Sequence, residues 1–82
     1  MLRLEIKAVL HGQDFILEVE DDIRTGRLIE GIKILLDDEN EGMLISTDKR
    51  GVLPSDEKLS DLMIRSGEEL IYVKGGSTVC RL

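Results

Sequence analysis

Between Leu2 and Leu36 the hydrophobic pattern of this chain switches from a period of two to a period of 3.6, which leaves few ways to fold it. Leu2, Leu4, Ile6 and Ala8 alternate with Arg3, Glu5 and Lys7. After the small and polar run Leu10-His11-Gly12-Gln13-Asp14, the residues Phe15, Leu17 and Val19 alternate with Ile16, Glu18 and Glu20. Alternation puts each apolar set on one face of a strand, and two strands joined by a short turn pair antiparallel. The pattern then changes. Leu28, Ile32 and Leu35 stand at i, i+4 and i+7, with Ile29 and Leu36 widening the stripe. That spacing predicts a helix from about Thr25 to Asp37 with a single apolar face. Thr25 is the expected N-terminal cap, and the acids before it suit the helix dipole. Gly31 inside the helix costs about 1 kcal/mol relative to Ala, so the helix needs a sheet to lie on. Gly31 is also the expected place for a close approach to that sheet.

The rest of the chain supplies more strands. Met43-Leu44-Ile45 reads as a third strand, Lys49-Arg50-Gly51 as a turn, and Val52-Leu53 as a very short fourth strand ended by Pro54. Leu59-Ser60-Asp61-Leu62 suits one helical turn, and Glu69 to Val73 a final strand broken by Gly75-Gly76. The order is ββαββ, a helical turn, then β. A one-stripe helix and a sheet with one buried face must pack together. The expected fold is α+β of the β-grasp type, a mixed sheet on one helix. Residues 1–74 would form the domain, and residues 75–82 the Gly-Gly and a loose tail. Leu4, Ile6, Leu17, Val19, Leu28, Ile32, Leu44, Leu62, Leu70 and Tyr72 are the expected core.

Composition narrows what such a domain can do. Eighty-two residues support one modest core, and with Phe15 and Tyr72 the only aromatics it must be built from Leu, Ile and Val. Eleven basic against seventeen acidic side chains give a net charge of −6. Such a surface repels phosphate backbones and anionic lipid, so neither nucleic acid nor membrane is an expected partner, whereas a basic patch on another protein is. The charged, alternating start does not read as a signal peptide, and no stretch is apolar enough for a membrane span. Cys80 is the only cysteine, which rules out an intrachain disulfide and a Cys/His metal cluster. It is not expected to be a prenylation site, since that motif needs three residues after the cysteine and Arg81 and Leu82 are what follow here. A cytoplasmic monomer without cofactor or metal is expected.

These segments resemble ubiquitin and its relatives. Leu17-Glu18-Val19-Glu20 is similar to ubiquitin's second strand and Leu44-Ile45 to its third. Leu59-Ser60-Asp61, then Ile64, then Leu70 are similar to its last stretch. Gly75-Gly76 stands where a modifier carries its diglycine. The similarity runs from residue 2 to residue 76. It departs from the family in Gly31, in the single residue Lys74 between Val73 and the glycines, and in the six residues after Gly76. The resemblance implies a protein modifier made as a precursor, cut after Gly76 and conjugated to targets through the glycine carboxylate. Its partners would be an activating-enzyme-like protein, a processing protease and the targets themselves. A residue without Cβ suits this, because bare backbone can thread a narrow tunnel.

Each feature has a plainer alternative. A Gly-Gly pair after a strand is often only a terminator. Ile45, Ile71 and Val73 fall on the strand parity opposite to Leu44, Leu70 and Tyr72, so they should lie together on the open sheet face. Scattered aliphatics are normal, but several on one face mark a protein-binding patch, and ubiquitin receptors commonly dock there. His11 is expected to be a turn residue, since no second ligand accompanies it. Cys80 lacks a positioned base and reads as a tail thiol. Glu20-Asp21-Asp22 and Asp37-Asp38-Glu39 lack the spacing of a calcium loop and read as solvated charge. No nucleophile, base and orienting group form a set, so catalysis is not expected. Beside the modifier stand two alternatives. One is a ubiquitin-like interaction subunit that is never conjugated, like the small YukD-type proteins of bacterial type VII secretion. The other is a sulfur carrier, disfavoured by the tail.

Overall fold

A computed structural model describes residues 1–48 and 51–74. The strands are β1 (Leu2–Ala8), β2 (Gln13–Val19), β3 (Gly42–Ser46), β4 (Gly51–Val52) and β5 (Glu69–Lys74), with one helix, α1 (Thr25–Leu36), between β2 and β3. They form one mixed sheet in the order β2-β1-β5-β3-β4. β1 and β5 run parallel in the middle, and the other neighbours are antiparallel. This is the expected α+β architecture. The β1–β2 connection is a 3-10 turn, Val9–His11, closed by Gly12 in the left-handed region at φ 65°. That backbone conformation is open to glycine at little cost.

One face of the sheet is the core. Leu4, Ile6, Ala8, Leu44, Leu70 and Tyr72 are fully enclosed against Leu28, Ile29 and Ile32 of α1. Leu17 and Val19 are only half-buried and pack on the core from its margin. Their strand, β2, is the sheet's edge. Leu53, Leu59 and Ile64 close the other end. Their burial corrects the expectation for Leu62, which is half-buried. Residues 58–63 form a run of hydrogen-bonded turns and not a regular helix. The Ile64 N–H reaches back to the Leu59 carbonyl at 3.1 Å. Met63 takes the left-handed conformation, φ 60°, that such a reversal demands.

The helix differs from expectation in three ways. Thr25 is its first residue and not its cap; Arg24 holds the cap position and makes no side-chain cap bond. The free N–H groups of the first turn are met by a loop instead. Thr25 N–H donates to the Glu57 carbonyl at 2.9 Å and Gly26 N–H to the Ser55 carbonyl at 2.8 Å. The Thr25 hydroxyl also donates to Glu57, at 3.2 Å. This external pairing satisfies donors that a capping side chain would otherwise take. Second, Leu35 is exposed. The buried arc is centred on Leu28, Ile29 and Ile32, and Leu35 falls at its rim in the last turn. Third, Gly31 faces solvent, and a Cβ there would meet nothing within 4 Å. The close approach lies at Gly42 instead, under the ring of Tyr72. Asp37 ends the helix in the left-handed conformation (φ 54°), and the Asp38 N–H returns to the Lys33 carbonyl at 3.0 Å.

Candidate functional site

The outer face of the sheet is the side that α1 leaves uncovered. Register decides which residues meet there. Ile45 on β3 lies directly opposite Ile71 on β5, and on its other side opposite Val52 of β4. Val73 lies opposite Met43. Directly opposed residues have Cβ atoms about 5 Å apart and share a face. The three residues expected at a patch, Ile45, Ile71 and Val73, are therefore brought together and joined by Met43 and Val52. All three are half-buried, so they form a packed floor and do not stand free of the surface. Val52, at 56% exposure, is the accessible rim. Met43 and Val52 were not singled out from the sequence, although the parity that picks Ile45 also picks Met43. Val52 needed the β3–β4 register.

Toward β1 the floor gives way to charge. Lys7 is in register with Ile71 and pairs with Glu69 at 3.5 Å. Both side chains are substantially exposed, so the pair adds little stability. It borders the apolar floor with one cation and one anion. Farther along, Ile16 on β2 is 54% exposed on the same face, separated from the floor by Glu5. Among the described residues no element crosses this face. The expected conjugation residues, Gly75 and Gly76, and the tail with Cys80 lie outside the described residues.

His11 does more than fill a turn. Its Nε2 lies 2.7 Å from Asp38 Oδ2, joining the β1–β2 turn to the loop after α1, and both side chains are largely buried. Its ring stands 6.2 Å from that of Tyr72 at a tilted 49°. The Tyr72 hydroxyl is buried with no hydrogen-bond partner among the described residues. Burial raises its pKa, and the carboxylates of Asp38, Glu30 and Glu41 raise it further. Among the described residues no three His, Cys, Asp or Glu side chains are placed to hold a metal ion.

No protein-family model matches the chain, and no curated protein matches it. Solved structures do. The ubiquitin-like domain of Plasmodium falciparum Dsk2 superposes with a TM-score of 0.76 at 21% identity, over 90% of this chain and 97% of that one. The chain has the ubiquitin-like β-grasp fold. Caldiarchaeum subterraneum ubiquitin matches this ubiquitin-like domain with a TM-score of 0.76 at 15% identity, over 95% of this chain and 98% of that one. A ubiquitin-like domain of an Arabidopsis thaliana protein matches at 0.78 and 14% identity, over 98% and 83% of the two chains. At such identities the likeness is one of fold. The neighbours of the ubiquitin-like domain include both a ubiquitin and domains within other proteins.

Proposed function

We propose that this ubiquitin-like domain performs no chemistry of its own and works by being bound by other proteins on the outer face of its sheet. The observation that carries this reading is the juxtaposition of Ile45 and Ile71, flanked by Val52, on a face that no described element covers. An apolar floor beside the Lys7–Glu69 pair suits a partner that buries aliphatic side chains at its centre and pairs charges at its rim. The test is recovery of partners with the wild type and with Ile45→Asp, followed by affinity measurement on each purified partner. Loss of at least about 1 kcal/mol in the variant supports the reading. Unchanged affinity for every partner removes it.

A second reading adds covalent attachment, because in the sequence Gly75-Gly76 directly follows Lys74, the last residue of β5. In that reading the chain is a modifier precursor, cut after Gly76 by a protease and activated at the Gly76 carboxylate. Full-length protein would then be inert to a cognate activating enzyme and ATP, and a form ending at Gly76 would become adenylated and pass to a cysteine. Intact mass from native cells discriminates the two. Chains retaining residues 77–82, with no conjugates, support the non-covalent role, such as a subunit of a secretion machine in the cytoplasm.

A further inference from the structure

The opposite side of the molecule carries a second surface that the fold does not use. Gly31 and Ile34 lie on the face of α1 turned away from the sheet, and Leu35, at the rim of the buried arc, borders them; the three are spaced i, i+3 and i+4. Ile34 is 79% exposed and Leu35 57%. Neither the glycine nor the isoleucine is there for the helix. Glycine is a poor helix former and β-branched residues lose rotamer freedom in a helix. Nothing lies within 4 Å of where a Gly31 Cβ would be, so packing does not require its small size. Local choices that weaken an element without a compensating contact inside the fold point to a role outside it. An open cleft runs beside Ile34, bounded by Glu30, Lys33, Asp37 and Glu39. Lys33 is already paired with Glu30 at 3.6 Å. The stretch from residue 30 to residue 41 holds five acids against that one base.

We propose that this face docks a basic amphipathic helix from another protein, its apolar side on Ile34 and Leu35, its backbone close to Gly31 and its lysines or arginines over Glu30, Asp37 and Glu39. Charge complementarity selects this occupant. A second copy of the chain would set one acidic rim against another, and a phosphate-bearing partner would be repelled. The surface goes beyond the outer sheet face and lies on the other side of the molecule, so the domain can hold two partners at once and act as an adaptor.

The test uses an isotope-labelled full chain and a synthetic amphipathic helical peptide of Lys and Leu, followed by amide chemical shifts. The largest shifts are expected in residues 30–39, with affinity falling as salt rises. Ile34→Ser and Leu35→Ser should each weaken binding by about tenfold or more while melting stays unchanged, as befits exposed positions. A Lys/Ser peptide of equal charge should bind about tenfold more weakly or less well still. Ile45→Asp should leave this binding intact. The proposal is overturned if shifts centre on Ile45 and Ile71, if both serine variants bind as the wild type does, or if sedimentation shows a dimer that Ile34→Ser dissolves.

Discussion

The ring of Tyr72 occupies the space that any side chain at Gly42 would need; a Cβ there would run into the hydroxyl and the Cζ of the tyrosine. Gly42 opens β3 opposite Lys74, and Tyr72 sits two residues earlier on β5, opposite Leu44. The ring thus leans diagonally across the glycine, within reach for an aromatic side chain. Gly42→Ala should therefore destabilise the domain by about 1–3 kcal/mol, the usual cost of overpacking. Gly31→Ala should do the reverse, raising stability by up to about 1 kcal/mol through helix propensity. Thermal or urea unfolding of the two variants checks both signs.

Tyr72→Phe removes a buried hydroxyl that has no partner among the described residues. Stability should stay level or rise by up to about 1 kcal/mol, since no good hydrogen bond is lost. The same variant should alter the response to alkali. Burial and the nearby carboxylates raise the Tyr72 pKa above its ordinary value. In the unfolded chain the phenol releases its proton near pH 10, while the folded chain still holds it. The folded state then binds more protons, so stability falls as pH climbs from about 10 through the raised value, and is fully present below. Melting temperatures across that window should drop more steeply for the wild type than for Tyr72→Phe.

Met63 is in the left-handed region at φ 60° and 63% exposed. Its side chain contributes little there and its backbone is strained. Met63→Gly should stabilise the domain by about 0.5–1 kcal/mol, because glycine adopts this conformation without a Cβ penalty. A lower midpoint in urea would show that the side chain packs in solution.

The His11–Asp38 contact, at 2.7 Å, is the tie between the first turn and the loop after the helix. His11→Ala should cost about 1.5–3 kcal/mol, the range for a hydrogen bond to a charged group. Amide exchange should quicken in Val9–His11 and around Asp38 before it quickens in the central strands. Uniform acceleration would mean that the contact supports the whole fold and not these two segments.

Strands and helix were legible because each presents a face repeated over several residues: Leu2 to Ala8 and Leu28 to Ile32 state their own parity. The floor of the outer face followed from the same alternation at Ile45, Ile71 and Val73. What alternation does not carry is which residues lie opposite each other. Val52 joins Ile45 through the register of the β3–β4 pair, and Tyr72 overhangs Gly42 through the pairing of two segments distant in sequence. The role of Thr25 at the helix start is hidden from the sequence for a related reason. Local chemistry makes threonine a cap, but a loop thirty residues on supplied the acceptors at Ser55 and Glu57. Leu59 and Leu62 are a similar case, since a helical-turn reading does not reveal which of the two plugs the end of the core.

The parallel pairing of β1 with β5 sets a condition on the order of events during synthesis. The last of the described strands, β5, lies in the centre of the sheet, with β1 on one side and β3 on the other. Until Leu70 and Tyr72 arrive, the β1–β2 hairpin and the β3–β4 pair have no common neighbour, and the apolar side of α1 has no continuous surface to cover. Closing a loop of such length before any reward makes folding slow relative to a helical bundle of equal size. A nascent chain would thus leave the ribosome with its aliphatic residues uncovered until β5 has emerged. A stop codon ahead of Leu70 should yield an aggregating or rapidly degraded fragment and not a smaller domain.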